Sequence, residues 1–125
     1  DGGHIIAEAR QALLLARAGT RDAAAMTARE ALEIGTLGSA SVLGRDDIGL
    51  LAPNMAADFI AINLNRLGYA GAWTHDPVAA VVLCTPVNVD YSVINGRVIV
   101  REGQLTTIDL ATVIERQNTF AQQLY

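Results

Sequence analysis

The sequence predicts an α/β fold on three observations. Apolar residues recur at steps of three and four from Ile5 to Ala18, which indicates a helix with one apolar stripe. An apolar run, Phe59 to Ile62, follows Asp58 and is typical of a strand covered on both faces, although a buried helical turn would show the same pattern. Asn95-Gly96 between two β-rich runs is the strongest short-range signal of a hairpin.

Three helices are expected before residue 46. Apolar spacing and alanine content predict them over 5–18, 23–34 and 36–43. Thr20 would be the N-cap of the second helix, and Asp1 could accept hydrogen bonds from the first free N–H groups of the first. Glycines that can take the left-handed conformation should end these helices or kink the second: Gly19, Gly35 and Gly44.

A tight turn is expected just before the strand. Gly49 takes a positive φ at little cost. Pro53 presets the φ of the first inner turn position, and Asn54 tolerates the positive φ that a type II turn needs next. After the strand, Asp76 should cap a short helix that begins at Pro77 and ends near residue 83.

The hairpin suggests a definite register. A two-residue loop would oppose these pairs: Ile94 and Arg97, Val93 and Val98, Tyr91 and Val100, Asp90 and Arg101. The last pair would then be a cross-strand ion pair. Glu102-Gly103 is expected to form a second turn, and Thr107 or Asp109 to cap a last helix over 110–124.

Composition points to a surface that packs on something else. The 125 residues are 51% hydrophobic with a mean hydropathy of +0.29, which is apolar for a small independent domain. Either the core is unusually well covered or much of this surface packs on something outside the sequence, and we favour the second interpretation. The start at Asp-Gly-Gly rather than Met leads us to expect a processed or truncated start with further sequence upstream.

Charge and cysteine content narrow the partners. A net charge of −4 with nine scattered basic residues argues against nucleic acid. No apolar run approaches the length that spans a bilayer, so no membrane contact is expected. The single cysteine, Cys84, allows no internal disulfide and fits a reducing compartment, so we expect a cytoplasmic protein.

Few residues could carry chemistry. His4 and His75 are the only histidines and belong to no metal-binding pair, so capping or surface roles are favoured. A buried structural thiol is favoured for Cys84, which stands in an apolar run without a CxxC partner. A cytidine-type zinc deaminase is excluded because its motif needs two cysteines. For Asp58, a structural hydrogen-bond acceptor is favoured over a metal ligand.

The remaining candidates also have structural interpretations. Asp46-Asp47 reads as a solvated turn, and the glycine-rich run 35–38 as helix punctuation. Tyr69 and Trp73 could equally line a pocket or pack on a neighbour. We therefore predict no catalytic residue and no metal ligand in this chain.

A resemblance takes the interpretation further. Residues 49–62, GLLAPNMAADFIAI, resemble the G-x-L-x-x-G-x-x-A-D-hydrophobic signature near the C-terminus of the amidohydrolase superfamily, with Asn54 where the family usually has glycine. The similarity continues, in the family's order, over 35–40, 76–80 and 93–103. Residues 1–12 look like the segment after the last barrel strand in deaminases of oxidised purines and hydroxylated triazines.

The resemblance implies an architecture. Family members combine a (β/α)₈ barrel with a small β-sandwich built from both chain ends. This chain would supply the last helices of the barrel (1–45), sandwich strands with an intervening helix near 77–83 (46–105), and a C-terminal helix (106–125). It would thus be the C-terminal part of the barrel plus part of the composite sandwich.

The resemblance also implies a cofactor and partners. A divalent metal, expected to be zinc, would be held by residues upstream of Asp1 and would activate a water that attacks the heterocycle. Asp1 would lie at the active-site rim as a substrate-binding residue, not as a metal ligand. The expected partners are the upstream part of the same protein, a small heterocyclic substrate and further copies of the protein.

Two hypotheses remain open. The first is a fragment, inactive alone, of a metal-dependent amidohydrolase that deaminates a purine or triazine-type ring. The alternative is a free-standing, non-catalytic β-sandwich module for binding or assembly. A complete small enzyme is disfavoured because the chain lacks an acid–base or metal-binding set.

Overall fold

A computed structural model describes residues 3–84 and 88–123 as a set of helices and a four-stranded sheet. The helices are α1 (Ile5–Thr20), α2 (Ala28–Glu33), a π-helical segment (Ile34–Gly38), α3 (Ser39–Val42), a 3₁₀ turn (Leu67–Tyr69), α4 (Pro77–Leu83) and α5 (Leu110–Gln122). The strands are β1 (Phe59–Ala61), β2 (Tyr91–Ile94), β3 (Arg97–Arg101) and β4 (Gln104–Leu105). The predicted α/β class is confirmed.

The first helix is longer than predicted. It ends at Thr20, and Gly19 lies within its last turn. Arg21 takes the left-handed conformation at φ 56° and donates its N–H to the Ala18 carbonyl. The predicted end at Gly19 was therefore wrong, because a non-glycine residue two positions later ends the helix.

The second helix begins later than predicted, and Thr27 rather than Thr20 is its N-cap. The Thr27 hydroxyl accepts from the Glu30 N–H at 3.2 Å, and the Glu30 carboxylate accepts from the Thr27 N–H at 2.7 Å. This capping box satisfies two N–H groups that the start of a helix otherwise leaves free. The intervening turns are held by the Arg17 guanidinium, which donates twice to the Met26 carbonyl at 3.0 and 2.8 Å.

Helical structure continues without a stop from Ala28 to Val42. Gly35 was expected to end or kink the second helix, and instead lies in the π-helical segment that joins α2 to α3. The predicted third helix over 36–43 begins inside that segment. Gly44 ends the run at φ +67°, as predicted.

The sheet has the order β1-β2-β3-β4 and is antiparallel throughout. β1 confirms the strand predicted after Asp58 and pairs with β2, Phe59 opposite Val93. The expectation that both faces of this strand are covered was wrong for the described chain, since Phe59 and Ile60 are 39% and 49% exposed.

The hairpin register is correct only beside the turn. Ile94 faces Arg97 and Val93 faces Val98, as predicted. A bulge next to Ser92 then shifts the pairing, so that Tyr91 faces Arg101. The predicted opposition of Tyr91 to Val100 was therefore wrong, because the bulge adds one residue to β3.

The predicted Asp90–Arg101 ion pair is also absent. The Asp90 carboxylate instead pairs with Arg66 and accepts from the Asn63 N–H at 2.7 Å. These bonds tie the loop after β1 to the start of β2. A guanidinium and a free backbone N–H are both charge-assisted partners for the carboxylate.

The core is small and lies where three helices meet. α1, α2 and α4 bury Leu13, Ala31 and Val82 completely, with Ala9 and Ala28 nearly so. Alanine lets the helix backbones approach closely, which explains how six- and seven-residue helices find enough contact. By contrast, no described residue of α5 is buried.

No helix in the two described ranges combines the length and the apolar character needed to cross a membrane.

Candidate functional site

The residues of the signature form a junction between the helices and the sheet. We call this the signature junction: Gly49, the turn over 52–55, Asp58 and the turn Asn95-Gly96. Gly49 has φ +99°, and a Cβ there would lie 3.1 Å from the Leu37 Cα and 3.2 Å from the Leu37 nitrogen. Only glycine therefore lets this loop pass so close to the π-helical backbone.

The turn after Gly49 follows its predicted chemistry. The Met55 N–H donates to the Ala52 carbonyl at 3.2 Å, which closes the turn with Pro53 and Asn54 inside it. Asn54 has φ +67°. The prediction that asparagine keeps the turn where the family usually has glycine is confirmed.

Asp58 is the structural acceptor that the sequence favoured. Its carboxylate accepts from the Asn95 N–H at 2.7 Å across 37 positions of sequence. Asn95 and Gly96 both have positive φ, at 50° and 72°, which is the type I′ pattern of a two-residue hairpin. The carboxylate just before β1 therefore holds the turn at the far end of β2.

The Asp46-Asp47 pair is a turn, with one of its carboxylates in an ion pair. Arg45 donates to both oxygens of the Asp47 carboxylate at 2.8 and 2.7 Å. The hydrogen bond from Arg45 lowers the pKa of Asp47 below its ordinary value. The Asp47 carbonyl accepts from the Ala56 N–H at 2.7 Å, so the loop before β1 is closed at its base.

The two histidines do not form a site with each other. His4 precedes α1 without making a side-chain cap, so the capping role predicted for it is not observed. Its Nδ1 atom is buried and has no hydrogen-bond partner among the described residues, and it lies beside a cavity of about 290 Å³ lined also by β-sheet residues and Leu110. His75 is exposed, as the surface interpretation predicted.

Tyr69 and Trp73, which the sequence did not distinguish, differ in burial. Tyr69 is 2% exposed and packs on its neighbours, and this burial is the main cause of a raised pKa for its phenol. Trp73 is 43% exposed. Cys84 is half-buried rather than buried, at the C-terminal end of α4.

No metal-binding group forms within 3–84 and 88–123: no three His, Cys, Asp or Glu side chains lie together there. Asp1, the residue predicted at the active-site rim, lies outside the described residues.

An apolar cavity lies between the helices and the sheet. Its volume is about 330 Å³, and it is lined by residues of α1, α2, the π-helical segment, α4 and β1 with the residue that follows β1: Ile5, Ile6, Ala9, Leu32, Gly35, Thr36, Ile60, Ile62 and Val81. Its single polar side chain, Thr36, donates its hydroxyl to the Leu32 carbonyl at 2.8 Å. Such a wall can bury an apolar group and offers no acid, base or nucleophile.

Comparison with known proteins identifies the class of protein in which this junction occurs. Residues 1–99 match the model of the Amidohydrolase family. The chain therefore belongs to the amidohydrolase family, as its signature residues indicated.

Relatives within the family are deaminases and related hydrolases. The chain is 40% identical over 124 residues to 8-oxoguanine deaminase of Pseudomonas aeruginosa, covering 99% of this chain and 27% of that enzyme. It is 46% identical over 81 residues to hydroxydechloroatrazine ethylaminohydrolase of Pseudomonas sp. strain ADP, covering 62% of this chain and 16% of that enzyme.

Solved structures share the fold of the chain. An atrazine chlorohydrolase from Arthrobacter aurescens TC1 in complex with zinc superposes with a TM-score of 0.83 at 28% identity, covering 91% of this chain and 25% of its own. An adenosine deaminase from Xanthomonas campestris with bound zinc gives 0.87 at 26% identity, covering 94% and 27%. The chain thus spans about a quarter of the length of these relatives.

Proposed function

We propose that this chain is the C-terminal part of a hydrolase that deaminates a purine or triazine-type heterocycle. The observation that carries the proposal is the match to 8-oxoguanine deaminase, which extends over 124 of the 125 residues at 40% identity. A second match, to hydroxydechloroatrazine ethylaminohydrolase, also supports the proposal. Both enzymes are named for hydrolysis of an amino substituent, so the shared chemistry is cleavage of a C–N bond.

The architecture proposed for the whole protein assigns each part of this chain. Residues 1–45 would be the last helices of the barrel, 46–105 part of a composite sandwich, and 106–125 a terminal helix. Two features support this division. The signature junction separates a helical part from a sheet, and β1 leaves one edge of the sheet unpaired within the described residues.

The catalytic groups are proposed to lie outside this chain. The described residues do not fit a metal site. Similar solved structures carry zinc, which supports a divalent metal held by residues elsewhere in the protein. When bound, such a metal supplies an activated water for hydrolysis. What this chain contributes is the packing surface beneath the site, with Asp1 proposed at its rim.

The test is an activity assay on the full-length gene product. We expect ammonia release from 8-oxoguanine or guanine, or ethylamine release from a hydroxylated triazine, together with bound divalent metal by elemental analysis. The 125-residue chain alone is the matched control and is expected to release neither amine. A native gene product of only these residues, folded and without activity, would contradict the proposal and favour a binding or assembly module.

A further inference from the structure

The turn Asn95-Gly96 combines exposure with a glycine directly after the asparagine. Both residues are exposed at the end of the β2–β3 hairpin. Gly96 has no side chain beside its nitrogen, and a Cβ placed on it would meet nothing within 4 Å, so the space next to its α-carbon is open. A hairpin tip that protrudes into solvent also opens locally more easily than a buried strand.

We propose that Asn95 is a site of spontaneous deamidation, and that the product loosens the signature junction. The Gly96 peptide nitrogen attacks the carbonyl carbon of the Asn95 side chain. A new N–C bond forms, the bond to the side-chain amino group breaks, and ammonia leaves with the proton from the Gly96 amide. Water then opens the five-membered imide at either carbonyl, which gives aspartate or isoaspartate at this position. The inference does not depend on the proposed function.

The other asparagines are less suited to this reaction. Each is followed by a residue whose side chain hinders the attacking nitrogen: Asn54 by Met55, Asn63 by Leu64, Asn65 by Arg66, Asn88 by Val89 and Asn118 by Thr119. They provide internal controls within one chain. Asn95 should therefore react first.

The consequence follows from what the Asn95 N–H binds. It donates to the Asp58 carboxylate at 2.7 Å, and Asp58 directly precedes β1. Either product carries a negative charge at position 95, next to the negative charge of the Asp58 carboxylate. Isoaspartate also inserts a methylene into the main chain of a turn that holds two residues at positive φ. Both changes weaken the hydrogen bond that joins the hairpin to β1.

The experiment follows deamidation by peptide mass mapping while the full-length protein is incubated at mildly alkaline pH. We expect conversion at Asn95 several-fold faster than at the other five asparagines of these 125 residues, with isoaspartate among the products. Hydrogen exchange of the β1 amides should be faster in the converted protein. Asn95→Gly is the matched control, since Gly-Gly suits a type I′ turn and cannot deamidate. Asn95→Asp reports the effect of charge alone.

Two results would overturn the inference. Conversion of Asn95 at the rate of the other asparagines would remove the modification site. Unchanged exchange in β1, in both the aged protein and the Asn95→Asp variant, would remove its coupling to the junction. The Asn95→Gly variant should keep its β1 protection throughout the incubation.

Discussion

Asp58 precedes β1 and accepts the Asn95 N–H at 2.7 Å, so one side chain connects the start of the sheet to the hairpin turn. The residue belongs to the signature by which the family is recognised, yet its contact is structural. Asparagine at positions 54 and 95 takes positive φ in both turns of the same junction. A family signature can thus mark a fold junction through structural contacts.

Removal of the Asp58 carboxylate should weaken the junction. We expect Asp58→Ala to lower the free energy of unfolding by about 1 kcal/mol, because the exposed Asn95 N–H loses its charged acceptor. Asp58→Asn should cost less, since an amide oxygen can still accept. The measurement is denaturant unfolding of the full-length protein, with exchange of the Asn95 amide as the local readout.

Asp46, an exposed aspartate in the loop before β1, supplies the control for this measurement. Asp46→Ala should change stability by less than about 0.5 kcal/mol. Equal losses in the Asp46 and Asp58 variants would contradict a specific role for the Asp58 contact.

At the scale of elements, the sequence predicted several caps and turns that depend on adjacent residues, but it did not predict features that depend on contacts between distant residues. The cap at Asp76 and the turns at Pro53-Asn54 and Asn95-Gly96 depend on two to four adjacent residues and were predicted, and of the two caps proposed for the last helix, Thr107 and Asp109, the structure has Asp109. The bulge in β3 was missed because no local residue pattern marks it, and the Asp90–Arg66 ion pair was missed because its partners lie 24 positions apart in sequence.

The start of α2 was missed for a different reason. Alanines at 23–25 favour a helix by propensity, but the Thr27–Glu30 capping box fixes a later start. The T-x-x-E spacing was visible in the sequence and would have found it. By contrast, the close approach of Gly49 to the π-helical segment is a tertiary contact, and no local sequence pattern indicates it.

The last helix should respond to acid through its cap. Asp109 accepts from the Thr112 hydroxyl at 2.7 Å and from the Ala111 N–H at 3.1 Å. The hydrogen bonds from Thr112, and then that from Ala111, lower the pKa of Asp109 below its ordinary value. A depressed folded pKa gives stabilisation that is present above the ordinary aspartate pKa and is lost as pH falls through the folded value.

We therefore expect exchange of the first-turn amides of α5 to accelerate as the pH is lowered through this range. Asp109→Asn keeps an oxygen acceptor at the N-cap but cannot titrate, so its acid response should be smaller. Exchange must be corrected for the intrinsic pH dependence of each amide. The same acid response in the wild-type protein and the asparagine variant would show that another group controls α5.

At the scale of the whole molecule, the composition and the described structure both show a large exposed apolar surface. Leu67 is 94% exposed and Val42 89%, and α5 presents a stripe of half-exposed apolar residues: Leu110, Val113, Ile114 and Phe120. The core where α1, α2 and α4 meet is built largely of alanine, which buries little apolar area. Many of the apolar residues that give the sequence its high mean hydropathy therefore lie outside the core.

This balance leads to an expectation for the isolated chain. Because its exposed apolar area is large relative to its core, the 125-residue polypeptide should bind ANS and self-associate in dilute solution, as measured by fluorescence and sedimentation velocity. Co-expression with the remainder of the full-length protein should suppress both signals, since the added residues would cover the same surface. An equal mass of an unrelated soluble domain, co-expressed in the same way, controls for chaperone and crowding effects. If the chain alone were monomeric, cooperatively folded and silent to ANS, its surface would need no cover, and the proposal that it completes a larger hydrolase would lose its structural support.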